Sequence, residues 1–228
     1  MLNKVSELEV AVASIKDGDS VMLGGFGVPG TPFQLIDALV HHGAKDLTII
    51  KNDANETGMG VDWLLENGQV RKLIVSHIGL NARAIEMMNK GDLEVEFVAQ
   101  GILAERIRTG GAGLLGFITD IGIDTELAAN KMRMEIDGVP GIVEHALRAD
   151  VALIHADVAD PFGNLGYAAA ARNFNPLMAM AANQTIVEAE RLVSTGEISA
   201  NDVHTPGPFV DHVVELDELP EVYGVVKR

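Results

Sequence analysis

The stretch that decides the fold reads Asp17-Gly18-Asp19-Ser20-Val21-Met22-Leu23-Gly24-Gly25-Phe26-Gly27-Val28-Pro29-Gly30-Thr31-Pro32. It contains an Asp-Gly turn, a short apolar strand from Ser20 to Leu23, a loop with four glycines and the start of a helix. We expect Thr31 to cap this helix, with proline at its first position and glutamine three residues after the cap. Gly43 is predicted to end the helix in a left-handed conformation.

The alternation of strand and helix continues beyond this stretch. Further strands are predicted at Leu47 to Lys51, Lys72 to Ser76 and Leu93 to Ala99, and helices at Pro32 to His42, Val61 to Asn67, Arg83 to Asn89 and Gly101 to Arg108. Short apolar strands that alternate with amphipathic helices are typical of a parallel sheet covered by helices. The sequence therefore predicts an α/β fold, with an open, mainly parallel sheet and helices on both faces.

The second half of the chain is less regular. We expect short strands at Leu115 to Ile118 and Lys131 to Ile136, a helix from Gly141 to Arg148 and a buried strand from Val151 to His155. With 228 residues and 47% apolar content, the chain is long enough for one substantial core. Residues 1–228 are therefore predicted to form a single domain.

Composition excludes several classes of function. The sequence has no cysteine, which removes thiolate nucleophiles and thiolate metal sites. Seventeen basic residues against 33 acidic ones give a net charge of −16, and such a surface repels nucleic acid and anionic lipid. The histidines show no metal-ligand spacing, so we expect no metal. No signal segment or bilayer-length apolar run is found, and a cytoplasmic location is the expectation.

The loop from Gly24 to Gly30 is the leading candidate for a ligand site. Its glycines allow positive φ and close approach of the backbone, and free amides at the start of the following helix point out of the carboxyl edge of the strand. Such a loop can bind an anion without any lysine or arginine. A tight turn with no ligand explains the same composition, so the loop alone does not decide between the two.

The same loop also matches a dinucleotide fingerprint. Gly25 to Gly30 satisfies the spacing G-x-G-x-x-G, and Asp53 follows the next strand, where a ribose-binding acid is expected. In that fold, however, the helix opens inside the fingerprint, whereas here Thr31 and Pro32 set the helix after Gly30. A nicotinamide-dependent oxidoreductase is therefore the weaker alternative.

Polar side chains follow three other predicted strands. Asn52 comes after the second strand, Ser76 and His77 after the third, and Gln100 after the fourth. Because the carboxyl ends of parallel strands meet at one edge, we expect these groups to line one crevice with the glycine loop. Each of them could instead simply shape a turn or cap a helix.

Other ionisable residues are expected to have structural roles. His77, His155 and His204 lie near strand ends, and satisfied imidazoles explain them better than ligand contacts do. Glu105 and Arg106 fall within a helical pattern, where an ion-paired helix face is expected rather than a catalytic acid.

Together these motifs resemble the alpha subunit of the family I 3-oxoacid coenzyme A transferases, of the acetate or butyrate–acetoacetate type. The stretch from Asp17 to Pro32 matches the amino-terminal signature of that family. Further agreement is found at Asn52-Asp53, Ser76 to Gly79, Gln100-Gly101, Gly110 to Gly113, Ala171 to Pro176 and Thr205 to Gly207. Asn-Asp at positions 52 and 53 is more similar to the acetate and butyrate branch than to the succinyl branch, which tends to carry Asn-Asn.

The resemblance implies an architecture and a reaction. The fold would be the α/β architecture of the superfamily that includes coenzyme A transferases and ribose-phosphate isomerases. The reaction would move coenzyme A between acetyl- or butyryl-CoA and acetoacetate, or related short-chain acids, by a ping-pong route through a glutamyl thioester. In the family that glutamate lies in a Ser-Glu-Asn-Gly stretch of the beta subunit, and no such stretch occurs here. The resemblance thus implies no catalytic nucleophile in this chain, a beta-subunit partner in an α2β2 assembly, and no cofactor, since coenzyme A is a substrate.

Roles for particular residues also follow from the resemblance. Asn52 and Gln100 would orient the substrate, and coenzyme A or acyl atoms would be bound by Gly24, Gly25, Phe26, Gly27, Val28, Pro29 and Gly30. Lys51, Asn55 and Asp124 depart from the family pattern, which often has small or apolar residues at 51 and 55, and their roles are left open. A non-catalytic scaffold subunit is the alternative from another class of protein.

Overall fold

The computed structural model describes residues 3–219. The helices are α1 (Leu8–Val12), α2 (Phe33–His42), α3 (Val61–Glu66), α4 (Ala82–Lys90), α5 (Gln100–Gly111) and α6 (Asn175–Ala181). The strands are β1 (Ser20–Leu23), β2 (Leu47–Ile50), β3 (Val70–Val75), β4 (Glu94–Phe97), β5 (Gly116–Thr119), β6 (Arg133–Ile136), β7 (Val139–His145), β8 (Ala149–Ala159), β9 (Leu165–Gly166), β10 (Ala182–Leu192) and β11 (His212–Glu215). Within residues 3–219, no helix has the length and apolar character that a bilayer span requires.

A mainly parallel sheet forms the centre of the molecule. Its strands lie in the order β11-β10-β8-β1-β2-β3-β4, and each neighbouring pair in this path is parallel. The short strand β9 pairs antiparallel with the end of β8. This arrangement confirms the predicted α/β class and the predicted order of strands and helices up to α5.

Helices cover both faces of this sheet. Val21 and Leu23 of β1 pack in a cluster with residues of α1 to α4, whereas Met22 packs on the other face with residues of α5 and α6. Because both faces are buried, the central strands are continuous apolar runs rather than alternating ones. The second face is covered by few helices, and the long strands β8 and β10 contribute much of its packing surface.

The topology places a crevice at β1. From β1 the chain builds β2, β3 and β4 outward on one side, whereas β8, β10 and β11 lie on the other side. Loops that leave β1 and β8 therefore diverge at the carboxyl edge, which is where open α/β sheets bind ligands. The glycine loop, residues 24–30, leaves β1 at this point.

The predicted helix from Gly141 to Arg148 is wrong. This segment includes β7, the middle strand of a separate antiparallel sheet with the order β5-β7-β6. Asp137 and Gly138 both have positive φ, 53° and 80°, and Ile136 pairs with Val139, which is a two-residue hairpin turn. The Asp-Gly pair was the sequence signal for this hairpin.

α2 begins at Phe33, one residue after the predicted first position at Pro32. The Thr31 hydroxyl, just before the helix, donates to the carbonyl of Gly27 at 2.7 Å. Glu188 of β10 contacts the first turn of α2, where its Oε2 accepts the Leu35 amide at 2.9 Å. Gly43 ends the helix with φ 81°, as predicted.

The packing of the core predicts that shortening the Leu153 side chain destabilises the protein. This side chain is completely buried in β8, next to β1, and Leu153→Ala should lower the free energy of unfolding by about 2–5 kcal/mol through lost burial and the cavity left behind. Leu115→Ala is the control, since Leu115 is 88% exposed and its loss should change stability by less than about 0.5 kcal/mol. Urea unfolding measures both variants, and equal losses would contradict the described core.

Candidate active site

The glycine loop is held in place by its own backbone and by β8. The Gly24 amide donates to the carbonyl of Leu153 at 2.9 Å, which continues the pairing of β1 with β8. Phe26 N donates to Pro29 O and Thr31 N donates to Val28 O, each at 3.1 Å. The loop is therefore a series of tight turns of defined shape.

The residues after β2 fix the Gly27 peptide. Asp53 Oδ2 accepts the Gly27 amide at 2.8 Å, and Asn55 Nδ2 donates to the Gly27 carbonyl at 2.9 Å. Asn55 itself has φ 54°, a left-handed conformation that asparagine tolerates better than most residues. Asp53 and Asn55 thus form hydrogen bonds with both the N–H and the carbonyl group of Gly27, in the middle of the loop.

Asn175, at the start of α6, lies inside the curve of the loop. Its Nδ2 donates to the carbonyls of Gly30, at 3.1 Å, and of Ala171, at 2.8 Å. A Cβ added to Gly24 or Gly30 would overlap the Asn175 side-chain amide, so both positions require glycine for close approach. The sequence motif from Ala171 to Pro176 was recognised, but nothing in it showed that Asn175 contacts the loop.

Several loop amides are already used by the protein. Among the described residues, the amides of Gly25, Val28 and Gly30 have no hydrogen-bond acceptor, whereas those of Gly24, Phe26 and Gly27 have one. The first turn of α2 is also engaged, because Glu188 accepts the Leu35 amide. The amides with spare capacity for a ligand are therefore in the loop itself more than at the helix end.

The structure brings Asn52 and Gln100 together, as the sequence predicted. Gln100 Nε2 donates to Asn52 Oδ1 at 2.8 Å, and Asn52 Nδ2 donates to Asp53 Oδ2 at 3.0 Å. Asn52 is completely buried, whereas Gln100, at the first position of α5, is exposed. Gln100 is thus the member of the pair that can face a ligand, and Asn52 lies behind it.

A buried ion pair lies beneath these contacts. Lys51 is fully buried, and its Nζ lies 3.6 Å from Asp53 Oδ2. Burial opposes ionisation of Asp53, but Lys51 and the amides of Gly27, Asn52 and Asn55 overcome it and lower the pKa of this carboxyl. Both oxygens of Asp53 are used within the protein, which argues against the ribose-binding role of the dinucleotide interpretation.

The three histidines that the sequence placed near strand ends have different environments. His155 is buried, with Nδ1 2.9 Å from Glu188 Oε1 and Nε2 3.1 Å from Glu190 Oε1, so the expected satisfied imidazole is confirmed there. Burial alone would lower the pKa of His155, and the two carboxylates raise it to about 9. His204 stacks on Tyr167 and its Nδ1 accepts the Tyr167 amide, whereas His77 is exposed.

The remaining predicted residues lie apart from the loop. Glu105 pairs with Arg108 at 2.6 Å and Arg106 with Glu96 at 3.0 Å, which confirms the ion-paired face of α5. Asp124 is exposed in the segment that follows β5. Within residues 3–219, no group of three or more histidine, aspartate or glutamate side chains is placed to hold a metal ion.

A segment at the end of α3 partly matches the Ser-Glu-Asn-Gly motif that carries the nucleophile in the beta subunit of the family. Glu66-Asn67-Gly68 lacks the serine of Ser-Glu-Asn-Gly and follows Leu65 instead. It ends α3 just before β3, at the amino edge of the parallel sheet, and Glu66 pairs with Arg83 at 2.9 Å. This glutamate therefore lies at the opposite edge from the glycine loop.

Comparison with known proteins agrees with this architecture. Residues 5–216 match the family model described as coenzyme A transferase, and the chain belongs to this family. It is 50% identical over 215 residues to a probable coenzyme A transferase subunit alpha of Bacillus subtilis (strain 168), covering 94% of each chain. It is 44% identical to the acetate CoA-transferase subunit alpha of Escherichia coli (strain K12), covering 96% of this chain and 99% of that protein.

Two further matches bear on function and fold. The acetoacetyl-CoA:acetate/butyrate CoA transferase alpha subunit of Clostridium acetobutylicum (strain ATCC 824) is 43% identical over 215 residues, covering 94% of this chain and 99% of that protein. The crystal structure of glutaconate coenzyme A-transferase from Acidaminococcus fermentans superposes with a TM-score of 0.84 at 23% identity, covering 96% of this chain and 76% of that chain, and shows a shared fold. This chain is thus a coenzyme A transferase subunit of the alpha type.

The His155 cluster predicts a pH-dependent contribution to stability. The folded-state pKa of about 9 lies above the ordinary histidine value of 6.5, so the stabilisation is complete below pH 6.5 and is lost as the pH rises through 9. His155→Gln should therefore lower the free energy of unfolding at pH 6.5, by on the order of 3 kcal/mol, and by much less at pH 9.5. Urea unfolding at the two pH values measures the difference.

His41→Gln is the matched control, because His41 is exposed on α2 and should show little change at either pH. A loss in His155→Gln that is the same at pH 6.5 and pH 9.5 would contradict the charged cluster.

Proposed function

We propose that this chain is the alpha subunit of an enzyme that transfers coenzyme A between acetyl- or butyryl-CoA and acetoacetate, or related short-chain carboxylates. The observation that carries the proposal is the continuous set of hydrogen bonds from Gly27 through Asp53 and Asn52 to Gln100, which connects the glycine loop with Gln100. The names of the Escherichia coli and Clostridium acetobutylicum relatives support these acyl groups.

The proposed chemistry divides between two subunits. A glutamate of the beta subunit attacks the acyl thioester carbonyl, the coenzyme A thiolate leaves, and a mixed anhydride forms. The thiolate then attacks the glutamyl carbonyl of the anhydride, which releases the first carboxylate and leaves a glutamyl–coenzyme A thioester. The acceptor carboxylate reverses the sequence, so no external oxidant, metal or bound cofactor is needed.

This chain would supply binding and orientation. The amides of Gly25, Val28 and Gly30 can donate to acyl or coenzyme A oxygens, and Gln100 can orient the carboxylate or thioester carbonyl. Asn52 would act from behind, by holding the Gln100 amide in one orientation. The anhydride must be kept from water, which is a physical reason for a crevice closed by a second subunit.

The assembly would be α2β2, with the site between an alpha and a beta subunit. We propose the cytoplasm as its location, where coenzyme A thioesters are available as substrates.

The test is coenzyme A exchange between acetoacetate and labelled acetyl-CoA or butyryl-CoA. This chain alone should be inactive, and activity should appear when the beta subunit encoded beside it is added. Activity of the isolated chain would contradict a nucleophile on the partner. A folded complex with no activity for several acyl donors would favour a scaffold role, and reduction of a nicotinamide would favour the oxidoreductase.

Gln100→Ala should lower kcat of the complex by more than about tenfold, since a hydrogen bond to a reacting group in a closed site is worth roughly 1–3 kcal/mol. Asn52→Ala should lower kcat as well, because Gln100 would lose its partner. Asn89→Ala, on the exposed surface of α4, is the control and should leave kcat unchanged. Normal turnover in both site variants would reduce these residues to a structural role.

Gly27→Val should raise KM for the acyl-CoA, because a branched side chain at φ 60° displaces the loop that is proposed to contact the donor. Gly18→Val is a matched control: Gly18 also has positive φ, 85°, and open space around its Cβ position, but lies before β1 at the opposite edge of the sheet. Steady-state kinetics of both complexes would show the difference. A similar KM in the two variants would argue against contact between loop and donor.

A further inference from the structure

Lys51 is a buried lysine that the proposed chemistry does not use. It follows directly after β2, it is fully buried, and no hydrogen-bond acceptor among the described residues is within reach of its Nζ. Removing an ammonium group from water without hydrogen bonds is costly unless a charge of opposite sign compensates. Burial accordingly lowers the pKa of Lys51, and Asp53 opposes that change.

Asp53 is the charged group that faces Lys51. Asp53 raises the pKa of Lys51 against the effect of burial, and Lys51 lowers the pKa of Asp53. The pair is 3.6 Å apart, and both partners are almost completely buried. If only one member loses its charge, the other is left as an uncompensated buried charge.

Asp53 links the two parts of the proposed site. Its Oδ2 accepts from the Gly27 amide in the glycine loop and from Asn52 Nδ2, and Asn52 in turn accepts from Gln100. Its Oδ1 accepts from the Asn55 amide at 2.7 Å, and Asn55 holds the Gly27 carbonyl. Whether the Asp53 carboxyl group is ionised therefore affects the loop backbone and the orientation of the Gln100 amide.

The charge of Lys51 also matters for anionic substrates. Without it, Asp53 would have one of two states. It could remain an uncompensated negative charge beneath a loop proposed to bind acyl-CoA and carboxylates, or it could become a protonated acid that accepts a weaker hydrogen bond from the Gly27 amide. The first state repels the substrate and the second loosens the loop. Both states are expected to weaken substrate binding.

We propose that Lys51 is a positioning residue, whose buried ammonium keeps Asp53 a carboxylate and thereby fixes both the Gly27 peptide and the Asn52–Gln100 pair. The assignment rests on the proposed function for its effect on catalysis.

The test uses the active complex of this chain with its beta subunit. Lys51→Met removes the charge with little change in volume, and it should raise KM for the acyl-CoA at least about tenfold. Asp53→Asn in the same chain removes the carboxylate that Lys51→Met leaves unpaired, while keeping an oxygen that can accept the Gly27 amide. The double variant Lys51→Met/Asp53→Asn should therefore recover part of the affinity that Lys51→Met loses, since the Gly27 amide keeps an acceptor whereas the Asn55 amide loses one.

A purely structural role for Lys51 would give a different result. Loss of packing alone would make the effects of the two substitutions multiply, so the double variant would have a higher KM than either single one. Such a result, or an unchanged KM in Lys51→Met, would overturn the proposal. Lys72→Met is the control, since Lys72 pairs with Glu94 and Glu96 on the parallel sheet away from the loop and should leave KM unchanged.

A second readout separates this proposal from the proposed function. Urea unfolding of the same variants should show Lys51→Met less stable than the double variant, whether or not the wild-type complex transfers coenzyme A. An inactive wild-type complex would reject the proposed function. Additive losses of stability for Lys51→Met and Asp53→Asn would reject the Lys51–Asp53 coupling instead.

Discussion

The burial of β1 on both faces and along both edges is the constraint on which the rest of the structure depends. β1 pairs with β2 on one side and β8 on the other, and clusters of apolar residues cover it above and below. A strand enclosed in this way can leave the sheet only at its end, so the chain emerges at the carboxyl edge between two diverging connections. The glycine loop occupies this exit, and every later feature of the proposed site is attached to it.

Buried charges then hold the loop in a protein whose net charge is −16. Asp53 contacts the middle of the loop with Lys51 beside it, and Glu188 contacts the start of α2 with His155 beside it. In both places a carboxylate accepts at least one backbone amide and has a buried basic side chain beside it. Lys51 thus compensates the charge of the carboxylate that contacts the middle of the loop in this strongly acidic chain.

Local pattern in the sequence predicted much of the fold for a clear reason. The strands and helices from Ser20 to Gly111 have periodic apolar residues and glycine or polar boundaries, and these are properties of neighbouring residues. The helix predicted from Gly141 was wrong because the Asp137-Gly138 turn fixes a hairpin with Ile136 and Val139 paired, so the chain continues as a strand. The predicted start of α2 at Pro32 was one residue early, because the helix begins at Phe33.

The sequence by itself determined the α/β class, the glycine loop, the convergence of Asn52 and Gln100 on one edge of the sheet, and the family resemblance. Only the tertiary structure decided which polar groups at that edge already have hydrogen-bond partners within the protein and which can contact a ligand. Glu188 reaches Leu35 across 153 positions and Asn175 reaches Gly30 across 145, and local pattern carries no information about such contacts. Lys51 shows the same limit: the sequence left its role open, whereas the structure buries its side chain and places its ammonium against Asp53.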